Sequence, residues 1–377
     1  MKCAVVRELD SLEAFLRQKG QLHCAVIQGL DFSGVEINWD RLDFQGAVFL
    51  GCQFPKEVTA DFLLDKGAVI FPNFPSLPYN PYRNRLYSRD ELTTGWSEKE
   101  DRSLDKRIYD HFVQKGKSKA DILESLAQRL HDHAIDDGVR DLLGGRIEDG
   151  GAKKVVGIMG GHSTGRDDES FEQVVRVARA LSQKGYFIAS GGGPGIMEAA
   201  NLGAWLVNTS DELVDDVLDL LRATPHFASE GYQKAALSII EMVPNGGSSL
   251  AVPTWFYGHE PSNLFSTHIA KYFSNSIRED GLLAMATHGV VYAPGSAGTT
   301  QEIFMDATQN HYVTYDEISP MVFLGEKRYC EETMLYPCLK QLAEGRDYAE
   351  YLFCSDDVEK LVSFIESHPP RAALNKL

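Results

Sequence analysis

The stretch Gly289-Val290-Val291-Tyr292-Ala293-Pro294-Gly295-Ser296-Ala297-Gly298-Thr299-Thr300-Gln301-Glu302 decides the fold. It joins a short apolar run, a glycine turn and the start of an amphipathic segment, Ile303 to Asn310. A strand–turn–helix junction of this kind aims several backbone N–H groups and the positive end of a helix at one point, which suits a phosphate. Thr299 is placed to cap the helix, and Glu302, three residues on, sets a carboxylate beside whatever the turn holds. The same spacing also describes a capping box with no ligand at all.

Two further turns repeat the order. Tyr186-Phe187-Ile188-Ala189-Ser190 leads through Gly191-Gly192-Gly193-Pro194-Gly195 into Ile196-Met197-Glu198-Ala199-Ala200-Asn201, and Val155 to Met159 runs into Gly160-Gly161-His162-Ser163. Three such junctions predict parallel strands whose carboxyl ends share one edge, where open α/β folds bind ligands. The expected fold class is therefore α/β: a Rossmann-like parallel sheet with helices on both faces, plus a smaller β-rich N-terminal module.

The chain of 377 residues has room for two domains, and 43% hydrophobic with 24% charged residues supports a sizeable core. A formal net charge of −17 disfavours a nucleic-acid polymer as partner, which needs clustered Lys and Arg. A small anionic ligand is still compatible, because a local nest of N–H groups and one Arg override the global field. Six scattered cysteines without a C-x-x-C pair argue against a zinc knuckle or a thioredoxin-type site and for reduced thiols in a cytoplasmic protein. No run approaches the roughly 18 apolar residues of a membrane span. His131 and His133 point in different directions on a helix, so no metal site is expected there, and no other metal motif or cofactor is called for.

Residues 1–75 read as the β-rich module; Gly29-Leu30-Asp31-Phe32-Ser33 and Leu42-Asp43-Phe44-Gln45-Gly46 hint at a repeat, but two copies build no solenoid. Residues 76–150 read as linker and helix. Four prolines between Phe71 and Tyr82 mark a linker or a strap over the next domain, and Ser118 is placed to cap a helical run in which Ile122, Leu123, Leu126 and Leu130 share a face. Residues 151–377 form the nucleotide-type domain, with a helical insertion at 208–245 where Leu213, Val217, Leu220 and Leu221 suit one buried face.

These motifs resemble the lonely guy (LOG) group of nucleoside 5′-monophosphate phosphoribohydrolases and the bacterial nucleotide 5′-monophosphate nucleosidases. Gly191 to Ala200 is similar to the family's G-G-G-x-x-G-[LIM]-M segment, Pro294 to Glu302 to P-G-G-x-G-T-x-x-E, and Arg278 lies upstream at about the distance of the family's essential arginine. The resemblance implies hydrolysis of the N-glycosidic bond of a nucleoside monophosphate to free base and ribose 5-phosphate, by a homodimer or larger homo-oligomer. Ser296 departs from the second glycine of P-G-G, and Glu279 replaces the lysine of an Arg-Lys pair.

Glycosidic cleavage passes through an oxocarbenium-like ribose, for which Glu302 is the candidate carboxylate. Arg278 stays protonated, so its role is to grip phosphate or to hold Glu302; an ion pair with Glu279 or Asp280 is the alternative. Gly160, Gly161, Ser163, Gly191, Gly192, Gly193, Gly195, Gly295, Ser296, Gly298 and Thr299 are the candidate phosphate and ribose contacts. Glu198 is a candidate for the ribose hydroxyls or, equally, a helix-start acid favoured by the dipole. Trp255 to Asn263 has the texture of a base-stacking loop, or of core and lid packing. A nucleotide-binding or cofactor-carrying protein that keeps the cradle without turnover is the competing reading.

Overall fold

The computed structural model describes residues 4–19, 21–144 and 152–372. The boundary expected between 150 and 151 lies outside them. Two compact units are present: one runs to Leu86 and takes in Val113–Val139, the other comprises Tyr87–Phe112 and the chain from Arg140 onward. The 76–150 stretch is thus divided between them.

In the first unit, strands Val5–Val6, Val26–Gln28, Val48–Leu50 and Val69–Phe71 pair in parallel, in chain order. Their register aligns Val5, Val26, Val48 and Val69. Each aligned valine follows an alanine, in Ala4-Val5-Val6, Ala25-Val26-Ile27, Ala47-Val48-Phe49 and Ala68-Val69-Ile70. This is a repeat of about 21 residues with four copies, not the shorter one the Phe-containing fragments suggested. Ala25 and Ala47 are fully buried, as are Ile27, Phe32, Phe44, Phe49 and Leu63. Phe32 packs edge-on to Trp39 at 5.2 Å between ring centroids.

The proline-rich strap is bound within this unit: Gln28 Nε2 donates to Arg83 O at 2.8 Å, and Tyr79 Oη to Glu124 Oε1 at 2.8 Å. Helix Ile122–Leu142 departs from its expected orientation, because Ile122, Leu123 and Leu126 are exposed, whereas Glu124, Ala127, Gln128, His131 and Ile135 are buried. Its polar side chains find partners inside, so the apolar stripe does not have to. Asp121, not Ser118, accepts from the helix start, at Glu124 N.

The second unit is built on a seven-stranded parallel sheet. In chain order its strands are β1 Val155–Met159, β2 Phe187–Ser190, β3 Ser249–Ala251, β4 His268–Ile269, β5 Val290–Tyr292, β6 Met321–Leu324 and β7 Leu352–Ser355, arranged β4-β3-β2-β1-β5-β6-β7. The chain begins in the middle, walks out one way and returns to build the other half, so direction reverses between β1 and β5. That reversal opens a crevice at the carboxyl ends of these strands. All of β1, β2, β5 and β6 is buried, as continuous apolar strands covered on both faces require.

Helices flank the sheet as expected. Helix Glu169–Gln183, capped where Asp168 accepts from Ser170 N, buries Phe171, Val174, Val175, Val177, Ala178 and Leu181, at helical spacing. Full burial of each large apolar side chain contributes about 1.5–3 kcal/mol. It packs on Ile196–Trp205 and Val358–Ser367, while Asn275–Met285 packs on Ala297–Tyr312. The insertion holds two helices, Asp211–Arg222 and Tyr232–Met242. The first buries Val214, Val217, Leu218 and Leu221; Leu220 turns outward, one position off the expected face. Among the described residues no helix is long and apolar enough to cross a membrane.

Candidate active site

The three glycine turns meet at the crevice. Gly161 N, beyond β1, donates to Pro294 O beyond β5 at 3.0 Å, and Ile196 N, opening the helix after β2, donates to Gly161 O at 3.1 Å. Gly195 must be glycine here: its φ is +69°, and a Cβ would lie 2.5 Å from Gly161 O. Gly295 is constrained by space, since its Cβ would fall 2.1 Å from Thr299 Oγ1.

Helix Ala297–Tyr312 starts at the crevice with Ser296 as its N-cap. The expected cap at Thr299 is not formed: Thr299 lies inside the first turn, buried, and among the described residues no side-chain hydrogen bond caps the helix. The first-turn N–H groups therefore lack both intrahelical and capping partners, which leaves the positive helix end available to an anion. Ser296 has φ −114°, so the turn does not need a second glycine for its backbone conformation.

A cavity of about 520 Å³ occupies the crevice. Of the residues expected at a site, Gly160, Gly161, Gly191, Gly192, Gly193, Arg278, Ser296, Gly298, Thr299 and Glu302 line it. Ser163 and Gly195 line instead a separate cavity of about 110 Å³ beside His162 and Tyr232. Gly295 sits behind the turn, its carbonyl accepting from Arg328 Nη2 at 2.8 Å. Glu198 lines neither cavity. Its carboxylate accepts from Arg166 at 2.6 and 2.8 Å and from Tyr232 Oη at 2.6 Å, a buried network that holds the insertion rather than facing the crevice.

Arg278 Nη1 stands 3.8 Å from Glu302 Oε1, with both side chains about 90% buried. The arginine is fixed by Nε donating to Val252 O at 2.8 Å and Nη2 to Gly191 O at 3.3 Å, so it ties the end of β3 to the turn after β2. Burial pushes the Glu302 carboxyl up to about 7; Arg278 opposes that shift and Glu279 adds to it. Near neutral pH Glu302 is therefore divided between its acid and base forms, the range in which a carboxyl exchanges a proton with a substrate or water. Glu279 accepts from Gln301 Nε2 at 2.9 Å, within the same cavity.

Of the further lining residues, Lys271 had no sequence signal that singled it out, whereas Met197 belongs to the Gly191–Ala200 motif. Lys271 follows the two-residue β4, too short to reveal an edge; its Nζ is held by both oxygens of Asp105 at 2.8 Å. Met197, Tyr257 and Glu260 also line the cavity. Tyr257 and Glu260 lie in the aromatic, glycine- and proline-containing stretch noted above.

Fold and site together define a Rossmann-like parallel α/β domain with its crevice at the carboxyl ends of β1 and β5. Residues 153–209, from just before β1 to beyond the helix after β2, match the sequence model of the SLOG cluster4 family. Comparison with curated proteins gave no match. Among solved structures, the chain is similar to the molybdenum cofactor binding protein from the phototrophic bacterium Rippkaea orientalis (14% identity, covering 57% of this chain and 96% of that one, TM-score 0.36). It is also similar to the Moco carrier protein from Chlamydomonas reinhardtii (15% identity, 57% and 96% coverage, TM-score 0.36).

Proposed function

We propose that the cavity binds a nucleoside 5′-monophosphate and that the protein hydrolyses its N-glycosidic bond, releasing free base and ribose 5-phosphate. The observation that carries this reading is the Arg278–Glu302 pair, 3.8 Å apart, in a cavity bounded by an uncapped helix start and three glycine turns. The helix start supplies N–H donors for the phosphate. Glu302 in its ionised form stabilises positive charge at C1′ and takes the proton of the attacking water; the departing base leaves with the bond's electron pair and takes up that one proton, returned by Glu302 directly or through solvent, which restores the carboxylate. Arg278 holds Glu302 in place and raises the ionised fraction. The resemblance of Pro294 to Glu302 to the family motif supports the same assignment.

Incubation with AMP, GMP, CMP and UMP, followed by chromatography, tests it: free base appears with the wild-type chain and not with Arg278→Ala or Glu302→Gln, both folded by circular dichroism. Near-wild-type turnover in either variant removes that residue from the mechanism. A second reading, nucleotide or cofactor carriage without turnover, is favoured by Glu279, which puts a carboxylate where the resembling enzymes have lysine and drives Glu302 toward its protonated form. Tight binding with no product would establish it. Both readings place the protein in the cytoplasm as a homodimer or larger homo-oligomer, the latter open to light scattering.

A further inference from the structure

Besides Glu279, the cavity carries a second carboxylate that the proposed reaction does not use. Glu260 lines it from the loop after β3, half-buried, with a carboxylate oxygen 3.0 Å from where a Cβ on Gly193 would stand. Among the described residues no hydrogen bond or ion pair engages that carboxylate. Glu302 and Glu279 contrast with it, the first facing Arg278 and the second accepting from Gln301.

The loop bearing Glu260 is pinned on both sides of it. Asp105 accepts from Trp255 Nε1 at 2.7 Å and from Ser262 Oγ at 2.8 Å, while Lys271 neutralises the same carboxylate. His259 Nε2 meets Asp101 Oδ2 at 3.0 Å, and its ring stacks on Tyr109 at 5.6 Å. Tyr257, on the same loop and lining the cavity, offers an exposed ring face. These contacts fix the backbone from which Glu260 enters the cavity, and its carboxylate, when ionised, can only accept hydrogen bonds.

The anion-binding end of the cavity is the helix start at Ser296–Thr299, and Glu260 lies against a different turn, Gly191–Gly193. A ligand whose phosphate occupies the helix start and which extends toward Gly193 brings its other end to Glu260. A carbonyl oxygen there would face a carboxylate, acceptor against acceptor, whereas an amino group would supply the missing donor. A site built to hydrogen-bond one group rejects the analogue lacking it because its own polar atom is then left unpaired.

We infer that Glu260 is a specificity-determining residue that selects ligands whose base carries an exocyclic amino group. This inference deepens the nucleotide reading and rests on it. The pairs AMP with IMP and CMP with UMP each exchange an amino group for a carbonyl and change little else in size. Equilibrium binding of all four, measured by calorimetry on the full-length Glu302→Gln chain so that no ligand is consumed, should show AMP and CMP binding tenfold or more tighter than their partners. Glu260→Gln in the same background, whose amide both donates and accepts, should bring each pair to within about threefold. Equal affinities within both pairs, or an unchanged preference in the Glu260→Gln chain, overturn the inference while leaving the nucleotide reading intact. A uniform loss across all four in that chain also overturns it, since Glu260 would then act only on loop structure. Binding of none of the four by either chain defeats the nucleotide reading and, with it, this inference.

Discussion

Glu302 should make this protein more stable in acid than in base, and the size of the effect follows from its surroundings. Burial raises its carboxyl from 4.5 to about 7. The folded chain thus holds this proton more tightly than the unfolded one, and the associated stability is fully present below pH 4.5, declines as pH rises toward 7 and is gone above it. At about 1.36 kcal/mol for each pKa unit, the whole effect is about 3 kcal/mol, most of which is lost between pH 5 and pH 8. Glu302→Gln removes the titrating group while keeping the side-chain shape. Urea unfolding followed by tryptophan fluorescence, at pH 5 and pH 8 on both proteins, isolates the effect as a difference of differences. Asp306, one helical turn on and raised from 3.8 to about 7 by its own burial, acts in the same direction but is present in both proteins and cancels. The expected result is a wild-type chain that loses about 2–3 kcal/mol more than the variant over this range. The same pH dependence in both would refute the placement of Glu302 in a desolvated cavity beside Glu279.

Base release should rise with pH through about 7 and level off above it, because the ionised form of Glu302 is the one required; a flat profile from pH 5.5 to 8.5 would exclude that ionisation from the mechanism. Gly295→Ala should weaken nucleotide binding tenfold or more, since its Cβ meets Thr299 Oγ1, while Gly298→Ala, with open space around its Cβ, should leave the melting temperature unchanged or raise it. Glu198→Ala should cost about 3–5 kcal/mol in urea unfolding by leaving Arg166 buried and unpaired, whereas a ribose-binding role alone would leave stability near wild type. Ser296→Gly should change nucleotide affinity by less than about threefold, because the backbone there sits at negative φ, and a large gain would mean that the serine side chain obstructs the phosphate.

The parallel sheet was legible because its cause is local. Val155 to Met159, Phe187 to Ser190 and Val290 to Tyr292 are short apolar runs, each followed by glycine, and period and turn chemistry are properties of neighbouring residues. The N-terminal repeat was equally present in the sequence, in the four recurrences of Ala-Val, but its period exceeds the window in which strands are read.

The sequence by itself determined that glycine turns lie at strand ends and that an arginine and a glutamate stand near one of them, because those statements depend only on order along the chain. Tertiary structure alone decided which of these groups meet. Glu198 and Glu302 both sit in the first turn or so of a helix after a glycine turn, yet one is consumed by Arg166 and Tyr232 while the other faces Arg278 across the cavity. Lys271 joins the site from a segment with no motif at all, held there by Asp105, 166 residues earlier in the chain. A carboxylate's protonation and partners are set by the burial and charges around it, and those are supplied by residues far away in the chain.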